Sequence, residues 1–253
     1  MKITFLGTGT SQGVPLINCH CQVCTSTDKK DQRLRSSISV ETDLATIIID
    51  TTPDLRQQLL RNPVSRVDAV LYTHAHADHI YGIDDLRRFN QLQKERIPVY
   101  GDATTIKRLT STFDYAFGEG DLIPGLPNLK ANSVNGMFNV KNLAIIPVEL
   151  MHGQQEILGF RIGKMAYCTD VSYIPEMSFK KLENLDVLIL DALRDTDHPT
   201  HFSVPQAIET AKRIGAAKTY FIHMSHKIAH QAASRTLPAN ICFSYDGLTL
   251  NLP

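Results

Sequence analysis

Short apolar runs separated by polar turns recur along the whole chain. Residues 2–6, 37–41, 45–49, 67–72, 143–150, 160–162, 165–168, 186–190, 218–222, 241–243 and 248–250 read as strands. These runs are mostly rich in β-branched and aromatic residues and are bounded by Gly, Pro, Asp, Ser or Thr. Helical patterns over 83–93, 104–111 and 204–213 alternate with them, which predicts an α/β fold. Thr52 before Pro53 predicts a helix start, with Thr52 as N-cap and Pro53 at the first helical position. Gly163-Lys164 predicts a two-residue hairpin turn. The Gly- and Pro-rich stretch 117–128 reads as a loop or lid. Phe113, Tyr115 and Phe117 next to it are candidates for a substrate mouth, although such spacing is more often core. No linker, repeat or low-complexity stretch divides the chain, so a single domain over 1–253 is expected.

Composition adds exclusions more than assignments. Apolar residues make up 43% of the 253, enough for a sizeable core. Lysine and arginine number 26, balanced by 26 acidic residues, so no global field favours nucleic acid or an anionic membrane surface. No apolar run reaches the roughly 18 residues that span a bilayer, and the chain opens directly on a strand with no signal-peptide pattern. These features predict a soluble cytoplasmic protein with no membrane partner.

The chemistry is concentrated at the ends of the apolar runs. Thr73-His74-Ala75-His76-Ala77-Asp78-His79 places three imidazoles and a carboxylate within six residues, directly after the run 67–72. All are good ligands for borderline divalent metals such as zinc or manganese. On extended backbone His74 and His76 project to one side. A helix beginning near Asp78 would turn Asp78 and His79 another way, which suggests two neighbouring ions. His152, Asp170 and His223 each follow an apolar run as well, and Asp50 ends another. Functional groups collect at such strand ends. Asp50 reads equally well as an orienting group or as a turn aspartate.

Cys19-His20-Cys21-Gln22-Val23-Cys24 carries a second pattern. Three thiols within six residues suit a tetrahedral zinc better than a disulfide, because Cys19 and Cys21 are too close to pair without strain. A fourth ligand must come from elsewhere, with His20, His226, Cys168 and Cys242 as candidates. The Gly7-Thr8-Gly9-Thr10 turn lacks the third glycine of a dinucleotide fingerprint.

Asp50, the His74-x-His76-x-Asp78-His79 core, His152, Asp170 and His223 together resemble the metallo-β-lactamase superfamily over nearly the whole chain. The resemblance implies a four-layer αββα sandwich with two divalent metal ions, manganese or zinc, at its edge. It implies that His74, His76 and His152 hold one ion, that Asp78, His79 and His223 hold the other, and that Asp170 bridges them. An aspartate at 170, where true β-lactamases typically carry cysteine, favours the hydrolase and phosphodiesterase branch. Gly7-Thr8-Gly9-Thr10, the cysteine loop and His223-x-x-His226 further resemble the cyclic phosphodiesterase of the carbon–phosphorus lyase pathway. That likeness implies one structural zinc on Cys19, Cys21, Cys24 and His226. It also implies a small-molecule phosphodiester substrate and a homodimer.

The implied reaction is attack on phosphorus by a hydroxide held between the two ions, a reaction in which Asp78 is essential. His201 would serve as general acid or base, with His198 as its competitor. Asp50, and secondarily Asp191, would orient metal-bound histidines. A transfer-RNA 3′-processing endonuclease shares the region around Asp191 and His201-Phe202-Ser203. Its long basic arm has no counterpart in the short acidic stretch around Glu119 and Asp121. That contrast and the zero net charge argue against a nucleic-acid substrate. A glyoxalase-type thioester hydrolase shares the ligands but lacks the cysteine loop. A non-catalytic metal-binding scaffold would be expected to have lost ligands.

Overall fold

The computed structural model describes residues 1–118 and 124–253. Strands β1 (Lys2–Gly7), β2 (Ser37–Glu41), β3 (Thr46–Ile49), β4 (Ala69–Leu71), β5 (Ile97–Gly101), β6 (Leu129–Ser133) and β14 (Thr249–Asn251) build one sheet. Its order is β14-β1-β2-β3-β4-β5-β6. Strands β7 (Phe138–Val140), β8 (Leu143–His152), β9 (Gln155–Ile162), β10 (Met165–Cys168), β11 (Val187–Asp191), β12 (Lys218–Ile222) and β13 (Ile241–Phe243) build the second. Its order is β13-β12-β11-β10-β9-β8-β7. Strands β3 to β6 run parallel to one another, and so do β10 to β13.

The alternation of side chains explains the layering. On β3, Ile47 and Ile49 enter the core between the sheets, whereas Ile48 packs against outer helices. On β11, Val187 and Ile189 face inward, while Leu188 and Leu190 face the opposite helical layer. Central strands buried on both faces must be apolar at every position, which is why they read as continuous runs. Helices α1 (Leu55–Arg61), α2 (Ala77–Ile80), α3 (Arg87–Gln93) and α4 (Ala103–Thr112) carry residues of the first outer core. Helices α5 (Glu176–Phe179), α6 (Val204–Ile214) and α7 (His230–Ser234) carry residues of the second. The result is a single αββα sandwich, as expected.

Some local expectations need correction. Helix α1 begins at Leu55, not at Pro53. Thr52 Oγ1 accepts the Asp54 amide at 3.1 Å and donates to Gln58 Oε1 at 3.2 Å, closing a tight turn ahead of the helix. Phe113 is buried and Phe117 packs on the same core, so neither lines a substrate mouth. Tyr115 is exposed, with its hydroxyl on Asp84. Glu119 and Asp121 of the suggested lid lie outside the described residues. No helix among the described residues is long and apolar enough to cross a membrane.

Candidate metal centre

The chemistry-bearing residues converge because each follows, or ends, a strand at one edge of the sandwich. Asp50 follows β3, the histidine loop follows β4, His152 ends β8, Asp170 lies just after β10, Asp191 ends β11 and His223 follows β12. In open α/β sheets such carboxyl-end crevices are where ligands bind. Asp50, Asp170 and His223 also share a left-handed backbone, with φ of 63°, 58° and 62°. Non-glycine residues adopt this region at a cost of order 1–3 kcal/mol and concentrate at functional sites when they do.

Asp50 organises the histidine loop. It is fully buried. Its Oδ1 accepts the Thr73 amide at 2.9 Å. Its Oδ2 accepts the Thr73 hydroxyl at 2.8 Å and His79 Nδ1 at 2.8 Å. Burial pushes the Asp50 carboxyl up, while His79 and the Thr73 donors act against that push. The bond to Nδ1 leaves His79 Nε2 directed away from Asp50. His76 caps α2 on extended backbone (φ −69°, ψ 153°), so His74 and His76 sit in the extended segment. His74 Nε2 and His76 Nδ1 approach to 3.0 Å. Asp78 and His79 lie on the first helical turn and face a different set of partners.

Two donor groups result. His74, His76 and His152 form one. Asp78, His79, Asp170 and His223 form the other, and in each group the ligand atoms lie within 4.8 Å of one another. Asp170 also groups with His152, so it stands between the two sets. His79 Nε2 lies 3.2 Å from Asp78 Oδ2 and 3.5 Å from Asp170 Oδ1. His223 Nε2 lies 3.4 Å from Asp170 Oδ2. Ligands about 2.0–2.1 Å from one tetrahedral ion stand roughly 3.3 Å apart, so this spacing fits a divalent cation. His79 Nε2 and His223 Nε2 are buried without a hydrogen-bond partner among the described residues. Burial opposes charge on His79, but Asp170, Asp78 and Asp50 outweigh it and raise its pKa. The same carboxylate field favours a cation between these side chains.

The far side of the cluster is built from β11 and the loop after it. His152 Nδ1 donates to the Thr200 carbonyl at 2.8 Å, leaving Nε2 for the site. His201 is buried beside His223, with ring centroids 4.7 Å apart and an interplanar angle of 12°. Asp191 Oδ2 faces His201 Nδ1 at 3.2 Å, and its Oδ1 faces His223 Nδ1 at 3.5 Å. One buried carboxylate thus hydrogen-bonds the His201 ring and stands beside that of His223, whose Nδ1 has no hydrogen-bond partner among the described residues. Burial lowers the pKa of His201, with Asp170 and Asp78 opposing. His198 lies further out, its ring 5.2 Å from that of His201.

Cys19, Cys21, Cys24 and His226 form a separate group. Their Sγ atoms stand 3.5, 3.3 and 3.7 Å from His226 Nδ1. A tetrahedral ion with bonds of about 2.3 Å to sulfur and 2.0–2.1 Å to nitrogen requires roughly 3.5 Å. The Cys24 amide holds the Cys21 thiol down at about 6. His20, Cys168 and Cys242 stand outside this group. A buried Arg33 supports the clip: it donates to the Ser225 carbonyl at 3.0 Å and the Ile228 carbonyl at 2.7 Å, on either side of His226. A cleft of about 230 Å³ joins the two clusters, lined by His201 and His223 at one end and His226 at the other. The roles of Thr73, Thr200 and Arg33 have no sequence signature, because each acts through a hydrogen bond set by the fold.

A model of the β-lactamase superfamily domain matches residues 45–224. A crystal structure described as a new diphosphatase from the PhnP family superposes with a TM-score of 0.93 and 41% identity. That match covers 100% of this chain and 98% of the other. Zinc-bound PqqB from Methylobacterium extorquens has the same fold, with a TM-score of 0.79 at 20% identity over the full length of both chains. A Porphyromonas gingivalis protein named octanoyltransferase is 39% identical over 98% of this chain. The match spans 51% of that relative, whose name describes the whole of a protein about twice as long.

Proposed function

Because the chain belongs to the metallo-β-lactamase superfamily, within its PhnP-like group of hydrolases, we propose that it hydrolyses a small phosphodiester. A cyclic phosphate of a ribose or nucleotide is the substrate class that fits best. The observation that carries this reading is the convergence of the two donor groups with His201 and Asp191 on one rim. His74, His76 and His152 would hold one divalent ion, Asp78, His79 and His223 a second, with Asp170 shared. Cys19, Cys21, Cys24 and His226 would hold a structural zinc.

When bound, two divalent ions supply Lewis acidity at the phosphoryl oxygens and make water a stronger acid. The chain's own residues do the rest. Asp50 holds the His79 ring by its Nδ1, so that Nε2 faces the site, and the Asp191 carboxylate stands 3.5 Å from His223 Nδ1. Thr200 does the same for His152. Asp191 fixes the His201 ring at Nδ1. His201 Nε2 then gives its proton to the departing alkoxide.

A second reading keeps the same residues and changes the bond broken to the anhydride of a diphosphate. It is supported by the 41% identity to the diphosphatase. A panel of bis(p-nitrophenyl) phosphate, p-nitrophenyl phosphate, a nucleoside diphosphate and a thioester separates the cases. The protein would be reloaded with manganese or zinc. Diester turnover well above the others is expected, whereas preferential phosphate release from the diphosphate would establish the second reading. Thioester cleavage alone would overturn both.

A further inference from the structure

A cavity of about 670 Å³, larger than the cleft at the metal centre, is lined by no residue of the donor groups that the structure assembles. Its volume lies in the range of small-molecule sites. It opens against β13, α7 and the loops at Lys30 and Tyr245. Three aromatic rings form one wall: the His230 centroid stands 6.4 Å from Phe243 and 6.0 Å from Tyr245. Lys30 Nζ sits 4.4 Å above the Tyr245 ring. Arg235 lines the same cavity, and among the described residues neither Lys30 nor Arg235 has an ion-pair partner.

His230 adds an independent sign of a ligand. It is 7% exposed, and its Nδ1 has no hydrogen-bond partner among the described residues. Burial, with Lys30 and Arg33 adding to it, holds its imidazole down at about 4, so the ring is neutral near pH 7. It therefore adds no positive charge beside the two cations. The one acidic residue in the lining, Asp28, is already engaged: its carboxylate accepts the Lys30 amide at 2.9 Å.

We propose that this cavity is a second ligand site, separate from the metal centre, that takes a nucleoside monophosphate. The base would stack against the half-buried Tyr245 ring, which the buried Phe243 and His230 support from behind, as bases do on aromatic side chains. The phosphate would draw the Lys30 ammonium off the Tyr245 ring and pair with it and with Arg235. A neutral aromatic alone leaves both cations unpaired, and inorganic phosphate alone leaves the aromatic wall empty.

Cys242 reports occupancy, because it lines the cavity and is only half-buried. The probe is adenosine 5′-monophosphate, with alkylation of Cys242 by iodoacetamide followed by peptide mass mapping of the metal-loaded protein. Saturable protection of Cys242 at millimolar nucleotide or below is expected. Adenosine and inorganic phosphate should each protect at least about tenfold less well. The exposed pair Lys30→Gln with Arg235→Gln should weaken protection about tenfold or more while leaving bis(p-nitrophenyl) phosphate turnover unchanged, which also shows that the variant is folded. Tyr245→Leu should weaken it independently. Absence of protection, equal protection by adenosine, or undiminished protection in the double variant would overturn the site. Nucleotide that inhibits diester turnover without protecting Cys242 would do the same, by placing the ligand at the metal centre.

Discussion

Asp50 shows how one buried carboxylate can govern several ligands. Three donors converge on it, from the Thr73 amide, the Thr73 hydroxyl and His79 Nδ1. Asp50→Asn replaces one acceptor oxygen by a donor and frees the His79 ring. Loss of such an orienting partner lowers metal affinity roughly 10–100-fold. Competition with a chelator should show that loss at the catalytic cluster, while the ion of the cysteine clip is retained. His201 and His198 are separated by their surroundings: His201 is buried, faces Asp191 and stacks on His223, whereas His198 is half-buried and its Nδ1 contacts the Thr200 hydroxyl at 3.2 Å. His201→Ala should lower the turnover number about 10²–10⁴-fold with metal content intact. His198→Ala should change it little, and a reversed ranking would move the proton donor to His198.

At the scale of elements, the site depends on how α2 seats against the turn before α1. Thr51 donates its amide to the His79 carbonyl at 2.8 Å, and Gly82 donates to the Thr51 carbonyl at 2.9 Å. A Cβ on Gly82 would fall 1.9 Å from the Thr52 carbonyl oxygen. Gly82→Ala must therefore shift α2, at about 1–3 kcal/mol. A lower Tm and weaker metal binding at the centre should appear together. Asp246 ties three segments, accepting from Thr8 Oγ1 at 2.8 Å and the Leu34 amide at 2.7 Å. Burial pushes its carboxyl up to about 6. The unfolded chain releases that proton near 3.9, so between these values the folded state holds more protons. The stability this gives is fully present below about pH 4 and is lost as pH rises through 6. Thermal unfolding should show wild type exceeding Asp246→Asn by more at pH 5 than at pH 7.5, and a margin that grows with pH would contradict this.

For the whole molecule, legibility follows burial. β3, β4, β11 and β12 read clearly because burial on both faces forces runs of apolar residues. β6 (LKANS) and β7 (FNV) lie at or next to sheet edges and did not stand out, because edge strands carry polar residues freely. The candidate ligands were legible as residue types after strands. Their grouping was not, since it depends on bringing the carboxyl ends of strands from two sheets to one rim. The left-handed turns at Asp50, Asp170 and His223 likewise carry no pattern of their own. The cavity at His230 is assembled from segments 190 to 220 residues apart in the chain.

The most direct measurement is a metal titration of diester turnover in chelator-stripped protein, with bis(p-nitrophenyl) phosphate as substrate and bound metal counted by mass spectrometry. Turnover should rise only as two ions per chain are added beyond the one held by the cysteine clip. Asp78→Ala should stay inactive throughout. Full turnover with a single added ion, or undiminished turnover in Asp78→Ala, would contradict a two-ion centre built on His74, His76, Asp78, His79, His152, Asp170 and His223.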